Sequence, residues 1–213
     1  MPEAVIVSAA RTAIGTFGGA LANTKSTELG ALAVKEAIGR AGIEASDVEE
    51  VILGNVLAAN LGLNPARVAA IASGVPQEVP SYGVNKACGS GLKAVSLAEQ
   101  SIRCGDAEVV VAGGMENMSQ APFVLWGGRS PYRFGQKPYE LVDMLMGSLY
   151  DTQCDLYMAQ TAEKLAQRYG ISREAQDEFA LQSHLRGAAA VRDGRFAEEI
   201  VPIEILRKEK SLL

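Results

Sequence analysis

Short apolar runs rich in β-branched residues alternate with longer segments of helical periodicity through the first half of the chain. Runs of the first kind predict buried strands, and segments of the second kind predict helices. Regular alternation of the two predicts an α/β layered domain with a largely parallel sheet, because parallel neighbours need a crossover connection. The predicted strands are residues 4–7, 51–53, 82–85 and 108–112, and the predicted helices are 29–41, 64–73 and 92–103.

The second half has a different character. Residues 115–155 are rich in proline and glycine, which predicts a loop region, and long ordered loops in enzymes are commonly functional. Two helices are predicted at 158–169 and 172–193, and a further strand is predicted to start at Ile200. We therefore expect two domains, an α/β domain over residues 1–118 and a loop and helical domain over residues 119–213.

Composition excludes several classes of protein. The net charge of −5 and the dispersal of lysine and arginine among acidic residues argue against nucleic acid as a partner. No apolar stretch is long enough for a membrane span, and the first residues lack the features of a signal peptide. With three cysteines, none at CxxC spacing, and one histidine, a zinc site is not expected. Three unpaired cysteines fit a reducing compartment, so we expect a cytoplasmic protein or a processed organelle protein.

Cys88 is the candidate nucleophile. It follows a predicted strand and precedes a predicted helix, where free backbone N–H groups and the helix dipole stabilise a thiolate. Gly89 and Gly91 permit a substrate to approach the backbone, and the N–H of Cys88 can face a developing oxyanion. From this local context alone, a small core cysteine is an equally good interpretation. A structural role is favoured for Cys104 and Cys154, and a surface or packing role for His184, the lone histidine.

Several segments resemble the thiolase family, in particular its acetyl-CoA acetyltransferases. The sequence Asn-Lys-Ala-Cys-Gly-Ser-Gly-Leu-Lys-Ala at residues 85–94 is similar to the family's nucleophile motif. Residues 8–15 resemble its opening strand and turn, and Gly-Gly-Met-Glu-Asn-Met-Ser at 113–119 fits a later segment. The remaining similar segments, in family order, are 64–67, 161–163, 178–180, 194–196 and 199–202.

The resemblance implies a fold and a chemistry. The fold is the thiolase N-terminal α/β domain, with a mixed, mostly parallel sheet, together with the family's inserted loop domain. Cys88 accepts an acyl group from acyl-CoA, and a second acetyl-CoA then attacks the thioester; the reverse direction is thiolysis of a 3-oxoacyl-CoA. Leu149 and Met158 line the acyl pocket. Coenzyme A thioesters are substrates, no cofactor or metal is implied, and the family is dimeric or tetrameric.

This chain departs from the family at Tyr157, Ala159, Leu63 and Asn117, with Ala159 in place of the glycine of the His-Met-Gly motif. Tyr157 stands in the family's His-Met-Gly motif in place of histidine, and a phenol cannot replace an imidazole beside the thioester. Leu63 stands where biosynthetic members carry glutamine, and Asn117 replaces a serine, a change we expect to be tolerated. Acyl specificity is therefore open.

The resemblance covers a little over half of a full family chain. Family motifs of the second half, which supply the activating histidine, a second acid/base cysteine and an Asn-Glu-Ala-Phe segment, do not occur here. We expect Cys88 to work only when a chain carrying that half is present, and we expect oligomerisation. The alternatives are a non-catalytic, partner-binding subunit and, ranked lower, another condensing enzyme of the same fold, such as a ketoacyl synthase.

Overall fold

The computed structural model describes residues 3–131 and 133–205 and divides the chain into two compact units. The first unit runs to Ala121 and resumes at Glu199, and the second is Pro122–Glu198. The boundaries differ from the expected division at residue 118. The reason is that the chain from Glu199 pairs with the beginning of the first unit, where Arg11 and Glu199 form a salt bridge of 2.8 Å.

The first unit contains three main helices around a small parallel sheet. Its strands, in chain order, are β1 (Arg11–Thr12), β2 (Glu50–Gly54), β3 (Ser81–Val84) and β4 (Val110–Gly114), with β9 (Ile200–Val201) added from the end of the described chain. Its helices are α1 (Ser26–Ala41), α2 (Pro65–Ser73) and α3 (Ser90–Cys104), and two 3₁₀ turns lie at Ala45–Asp47 and Met118–Gln120.

The central sheet has the order β3–β2–β4, and both of its pairings are parallel. Alternate residues of β2 pack on opposite faces. Val51 and Leu53 join a core cluster with α1 and α2, whereas Ile52 packs against Ala94 and Ala98 of α3. The sheet is therefore covered by helices on both faces, which is the layered α/β arrangement expected from the alternating pattern.

Local signals located the C-terminal ends of all three helices and the start of α2, whereas α1 and α3 begin two or three residues before their predicted starts. Gly42, Gly74 and Gly105 end α1, α2 and α3 in the left-handed region, where glycine carries no steric penalty. Asn64 caps α2 by accepting a hydrogen bond of 3.2 Å from the amide of Arg67.

The strand expected at residues 4–7 does not form. The described chain supplies no neighbouring strand to this segment, and a strand without a partner leaves its N–H and C=O groups unpaired. The nearest element, β1, is only two residues long and pairs in parallel with β9.

In the second unit, the residues that the structure describes form two hairpins and three helices. Strands β5 (Phe123–Trp126) and β6 (Glu140–Asp143) pair antiparallel, as do β7 (Tyr150–Asp151) and β8 (Leu156–Tyr157). The helices are α4 (Met144–Ser148), α5 (Met158–Tyr169) and α6 (Arg173–Arg192). Helix α5 has the predicted bounds, and α6 begins after Ser172, whose Oγ accepts a hydrogen bond from the amide of Ala175. Within the described residues, no helix is both long and apolar enough to cross a membrane.

Candidate active site

Cys88 lies in the loop that joins β3 to α3, beyond the carboxyl end of the parallel sheet. In α/β sheets this edge is where ligands generally bind, because the connecting loops and helix N-termini meet there. The Cys88 side chain is exposed, so it is not the small core residue that local context also allowed. The thiol is therefore accessible at the N-terminal end of a helix of 15 residues.

The loop around Cys88 is braced by the buried side chain of Ser90. Its Oγ accepts a hydrogen bond of 2.9 Å from the amide of Lys86 and donates one of 2.6 Å to the carbonyl of Ala87. One hydroxyl thus ties the first residue of α3 to both residues that precede the cysteine. We identify Ser90 as a positioning residue, and sequence reasoning did not assign it that role.

Backbone geometry next to the cysteine is unusual. Ala87 has a φ of 47°, in the left-handed region that residues with a side chain rarely adopt. The amides of Ala87, Gly89 and Ser90 all donate hydrogen bonds within the loop. The amide of Cys88 lies in the same turn beside its thiol, which is where an oxyanion site requires a donor.

Glycines place the start of α3 directly on the sheet. A Cβ on Gly54 would lie 2.6 Å from both the amide nitrogen of Gly91 and the carbonyl carbon of Ser90. A Cβ on Gly114 would lie 3.2 Å from the carbonyl oxygen of Gly54. Any larger residue at position 54 would push α3 away from β2, so these glycines position the loop that carries Cys88.

A carboxylate organises the neighbouring loop after β2. Glu116 accepts hydrogen bonds of 2.8 Å from the amide of Val56 and from the side chain of Asn55, and longer bonds of 3.3 Å from the amide of Leu57. Asn55 is buried, and its Oδ1 has no hydrogen-bond partner within the described part of the protein. Sequence reasoning missed this network because its members lie about 60 residues apart.

Leu149 and Met158 come together in the second unit. The amide of Met158 donates a hydrogen bond of 3.0 Å to the carbonyl of Leu149 across the base of the β7–β8 hairpin. Both side chains are partly exposed, at 37% and 45% of their full accessible surface. The residues expected to line an acyl pocket are thus neighbours, whereas Cys88 belongs to the other unit.

Tyr157 packs against a second tyrosine in the same hairpin. The rings of Tyr150 and Tyr157 lie edge to face with centroids 5.1 Å apart, and the hydroxyl of Tyr150 donates a hydrogen bond to Asp155 at 3.2 Å. Loss of hydration raises the pKa of Tyr150, and the bond to Asp155 raises it further. Tyr157 directly precedes Met158 in the chain, so the tyrosine pair adjoins the residues expected to line the acyl pocket.

The other singled-out residues have clear positions. Leu63 is fully exposed, and Asn117 forms three hydrogen bonds, donating to the carbonyls of Leu21 and Thr24 and accepting from the amide of Ser119. The thiols of Cys104 and Cys154 are exposed, and so is the side chain of His184 in the middle of α6. His184 belongs to the second unit and is not part of the loop that holds Cys88.

The fold and the cysteine loop define an α/β domain that presents a thiol at a helix N-terminus. The family profile of the thiolase N-terminal domain matches residues 4–212, and the chain belongs to the thiolase family.

Curated relatives carry the name acetyl-CoA acetyltransferase. The protein of that name from Cupriavidus necator is 53% identical over 210 residues, which cover 98% of this chain and 53% of that protein. A relative from Pseudomonas aeruginosa is 50% identical, and the match covers 98% of this chain and 53% of that protein. A relative from Escherichia coli is 49% identical, and the match covers all of this chain and 54% of that protein. The chain therefore spans about half the length of the curated relatives it matches.

Proposed function

We propose that this chain supplies the nucleophile of a thiolase, an acyltransferase that condenses two acetyl-CoA molecules or cleaves a 3-oxoacyl-CoA by thiolysis. The observation that carries the proposal is the exposed Cys88 just before the N-terminal end of α3, on a loop braced by Ser90. The name of the relatives, acetyl-CoA acetyltransferase, supports acetyl-CoA as the substrate.

The first half-reaction is transfer of an acyl group to sulfur. The Cys88 thiolate attacks the thioester carbonyl carbon, a new C–S bond forms, and the carbonyl oxygen takes up negative charge. When the tetrahedral intermediate collapses, the bond between the acyl carbon and the coenzyme A sulfur breaks. The departing coenzyme A thiolate takes up a proton, which balances the proton lost by the Cys88 thiol. The N–H of Cys88 stabilises the oxyanion, a contribution typically worth ~10²–10³ in rate for one donor.

The second half-reaction forms or breaks a carbon–carbon bond. In the synthetic direction, a base removes a proton from the α-carbon of acetyl-CoA, and the carbanion attacks the acyl-Cys88 carbonyl, which releases the cysteine thiolate. The product is a 3-oxoacyl-CoA, and thiolysis is the reverse. We assign Leu149 and Met158 to the acyl pocket, with the Tyr150–Tyr157 pair beside it as a determinant of acyl specificity.

The proposal requires a base that the Cys88 loop does not contain. We propose that it comes from a polypeptide corresponding to the part of the relatives outside the match, and that the working protein is an oligomer. We place the protein in the cytoplasm, since all three cysteines are unpaired.

A second candidate is a catalytically incomplete thiolase subunit that binds a partner without performing chemistry. The observation that favours it is the location of His184, exposed on α6 and outside the cysteine loop.

Thiolysis of acetoacetyl-CoA distinguishes the two. The chain is co-expressed with the part of the Cupriavidus necator relative that lies outside the match, and loss of acetoacetyl-CoA is followed after addition of coenzyme A. We expect activity with the native chain and with Cys104→Ser, and none with Cys88→Ser. A complex that forms without thiolysis supports the binding subunit instead.

A further inference from the structure

Gly54, the last residue of β2, and Asn55, which follows it, contact the chain on both sides of Cys88. The amide of Asn55 donates a hydrogen bond of 3.1 Å to the carbonyl of Val84, the last residue of β3 before the cysteine loop. After the cysteine, the first turn of α3 lies against Gly54, where an added Cβ would come within 2.6 Å of the amide nitrogen of Gly91. Gly54 and Asn55 therefore hold the chain both before and after the cysteine.

The same two residues are fixed in turn by the end of β4. The carbonyl of Gly54 accepts a hydrogen bond of 2.9 Å from the amide of Met115. The side-chain amide of Asn55 donates to the carbonyl of Met115 at 3.1 Å and to Oε1 of Glu116 at 2.8 Å. The position of the cysteine loop thus depends on two residues that lie 60 and 61 positions from Asn55 in the sequence.

The orientation of the Asn55 amide follows from its neighbours. Both groups that its nitrogen contacts, a main-chain carbonyl and a carboxylate, are acceptors, so only the NH₂ end of the amide can lie between them. The Oδ1 atom is at the other end, and within the described part of the chain this buried atom has no hydrogen-bond partner. A buried acceptor without a partner costs free energy, and folded proteins keep such exceptions chiefly at functional sites.

We propose that Asn55, held by Glu116, is a positioning residue for Cys88. Asn55 acts through the carbonyl of Val84, which fixes the point where the cysteine loop leaves β3, and Glu116 acts through Asn55. Ser90 braces the loop from the side of α3, whereas Asn55 anchors it from the side of the sheet. The inference rests on the proposed function only in taking Cys88 as the nucleophile.

The anchor at Val84 is close enough to Cys88 to control its position. The loop between β3 and α3 consists of residues 85–89 alone, and Oδ1 of Asn85 accepts a hydrogen bond of 3.0 Å from the amide of Ala87 within it. A shift at the end of β3 is therefore passed along a short, internally bonded segment to the thiol. Misplacement of a reacting group by about 1 Å can cost on the order of 10²-fold in rate.

The rate of Cys88 alkylation in the isolated chain tests the proposal without requiring enzymatic activity. Asn55→Leu keeps a side chain of similar shape but removes both hydrogen-bond donors. We expect Cys88 of this variant to react with iodoacetamide at a rate close to that of Cys104, which is the reference within the same protein. Val34→Ala is the matched control, because it lowers stability by removing volume from the core cluster and leaves the Asn55 contacts in place. We expect it to leave the alkylation rate of Cys88 unchanged.

Glu116→Gln applies the same test from the other end of the network. It is expected to slow Cys88 in the same direction, and it decides the question if Asn55→Leu does not fold, as circular dichroism would show. An unchanged or faster Cys88 rate in a folded variant at either position overturns the proposal. Equal slowing in Val34→Ala also overturns it, because the effect would then follow from lost stability alone.

Acylation of Cys88 separates this inference from the proposed function. In the complex with the remaining part of the Cupriavidus necator relative, the single-turnover rate of Cys88 acylation by acetyl-CoA is followed by mass. Asn55→Leu is expected to slow it by about 10–10²-fold. A native complex without acylation overturns the proposed function, while the alkylation rates still decide the role of Asn55. A folded Asn55→Leu complex that is acylated at the native rate overturns the role of Asn55 and leaves the proposed function standing.

Discussion

Gly54 and Gly91 are in direct backbone contact, since a Cβ on Gly54 would lie 2.6 Å from the amide nitrogen of Gly91. This contact sets the position of the first turn of α3 relative to β2. Because Cys88 lies two residues before that helix begins, the separation of β2 and α3 also determines where the thiol sits.

The first prediction concerns Gly54→Ala. The added methyl group meets backbone that can move only with the helix, so we expect a loss of about 1–3 kcal/mol in the free energy of unfolding. Gly39→Ala on α1 is the control, because nothing lies within 4 Å of its added Cβ. We expect that variant to gain ~0.5–1 kcal/mol from better helix propensity. Urea denaturation measures both, and equal effects would disprove the close approach at Gly54.

The second prediction concerns Glu116→Gln. Both oxygens of the Glu116 carboxylate accept hydrogen bonds from the amides of Val56 and Leu57. Glutamine replaces one of these oxygens with an NH₂ group, which cannot accept a hydrogen bond. We expect a loss of roughly 1–3 kcal/mol in unfolding free energy.

The control for Glu116 is Glu178→Gln on the exposed surface of α6. Glu178 accepts one hydrogen bond, from Gln182, so the same chemical change should stay within about 0.5 kcal/mol. A Glu116→Gln variant as stable as this control would show that the network does not hold the loop after β2.

Features that depend on residues close together in the sequence were predicted correctly, whereas features that depend on distant segments were not. Asn64 and Gly74 bound α2 as expected, because a cap acts through residues three or four positions away. Residues 5–7 were predicted as a strand and are not one, because a strand also needs a neighbour that local pattern does not reveal.

The candidate site shows the same contrast between local sequence features and contacts between distant residues. Cys88 was predicted as a nucleophile from its glycine-rich context, and its exposed position just before α3 rests on local features of the sequence. The contact between Asn55 and Glu116 was not found, because it joins residues 61 positions apart through the packing of β2 against β4. The role of Ser90 depends on a left-handed Ala87, and alanine gives no sequence signal for that conformation.

The third prediction concerns alkylation of the exposed thiols. Cys88 lies at the amide end of α3, whereas Cys104 is the last residue of the same helix, next to its carbonyl end. The two thiols therefore lie at opposite ends of one helix dipole, Cys88 beside the free amide groups and Cys104 beside the free carbonyl groups. We expect iodoacetamide at pH 7 to modify Cys88 roughly tenfold faster, as peptide mass mapping would measure. Equal rates would contradict the assignment of a reactive cysteine.

The fourth prediction concerns Ser90→Ala. Loss of the hydroxyl leaves the amide of Lys86 unpaired and removes one of the two hydrogen bonds that the carbonyl of Ala87 accepts, so the cysteine loop loses its brace. In variant protein that is still folded by circular dichroism, we expect Cys88 to be alkylated at a rate closer to that of Cys104. Ser101→Ala, on the same helix, should leave the alkylation rate of Cys88 unchanged. A purely structural Ser90 would lower stability without changing that rate.

The central claim is that Cys88 accepts an acyl group from acyl-CoA, and intact mass followed by peptide mapping tests it most directly. The chain, co-expressed with the part of the Cupriavidus necator relative outside the match, is treated with acetyl-CoA and acid-quenched. We predict one acetyl group on the peptide that contains Cys88, and none when Cys88 is replaced by alanine. A verified complex that carries no acetyl group, or carries it on Cys104 or Cys154, would contradict it.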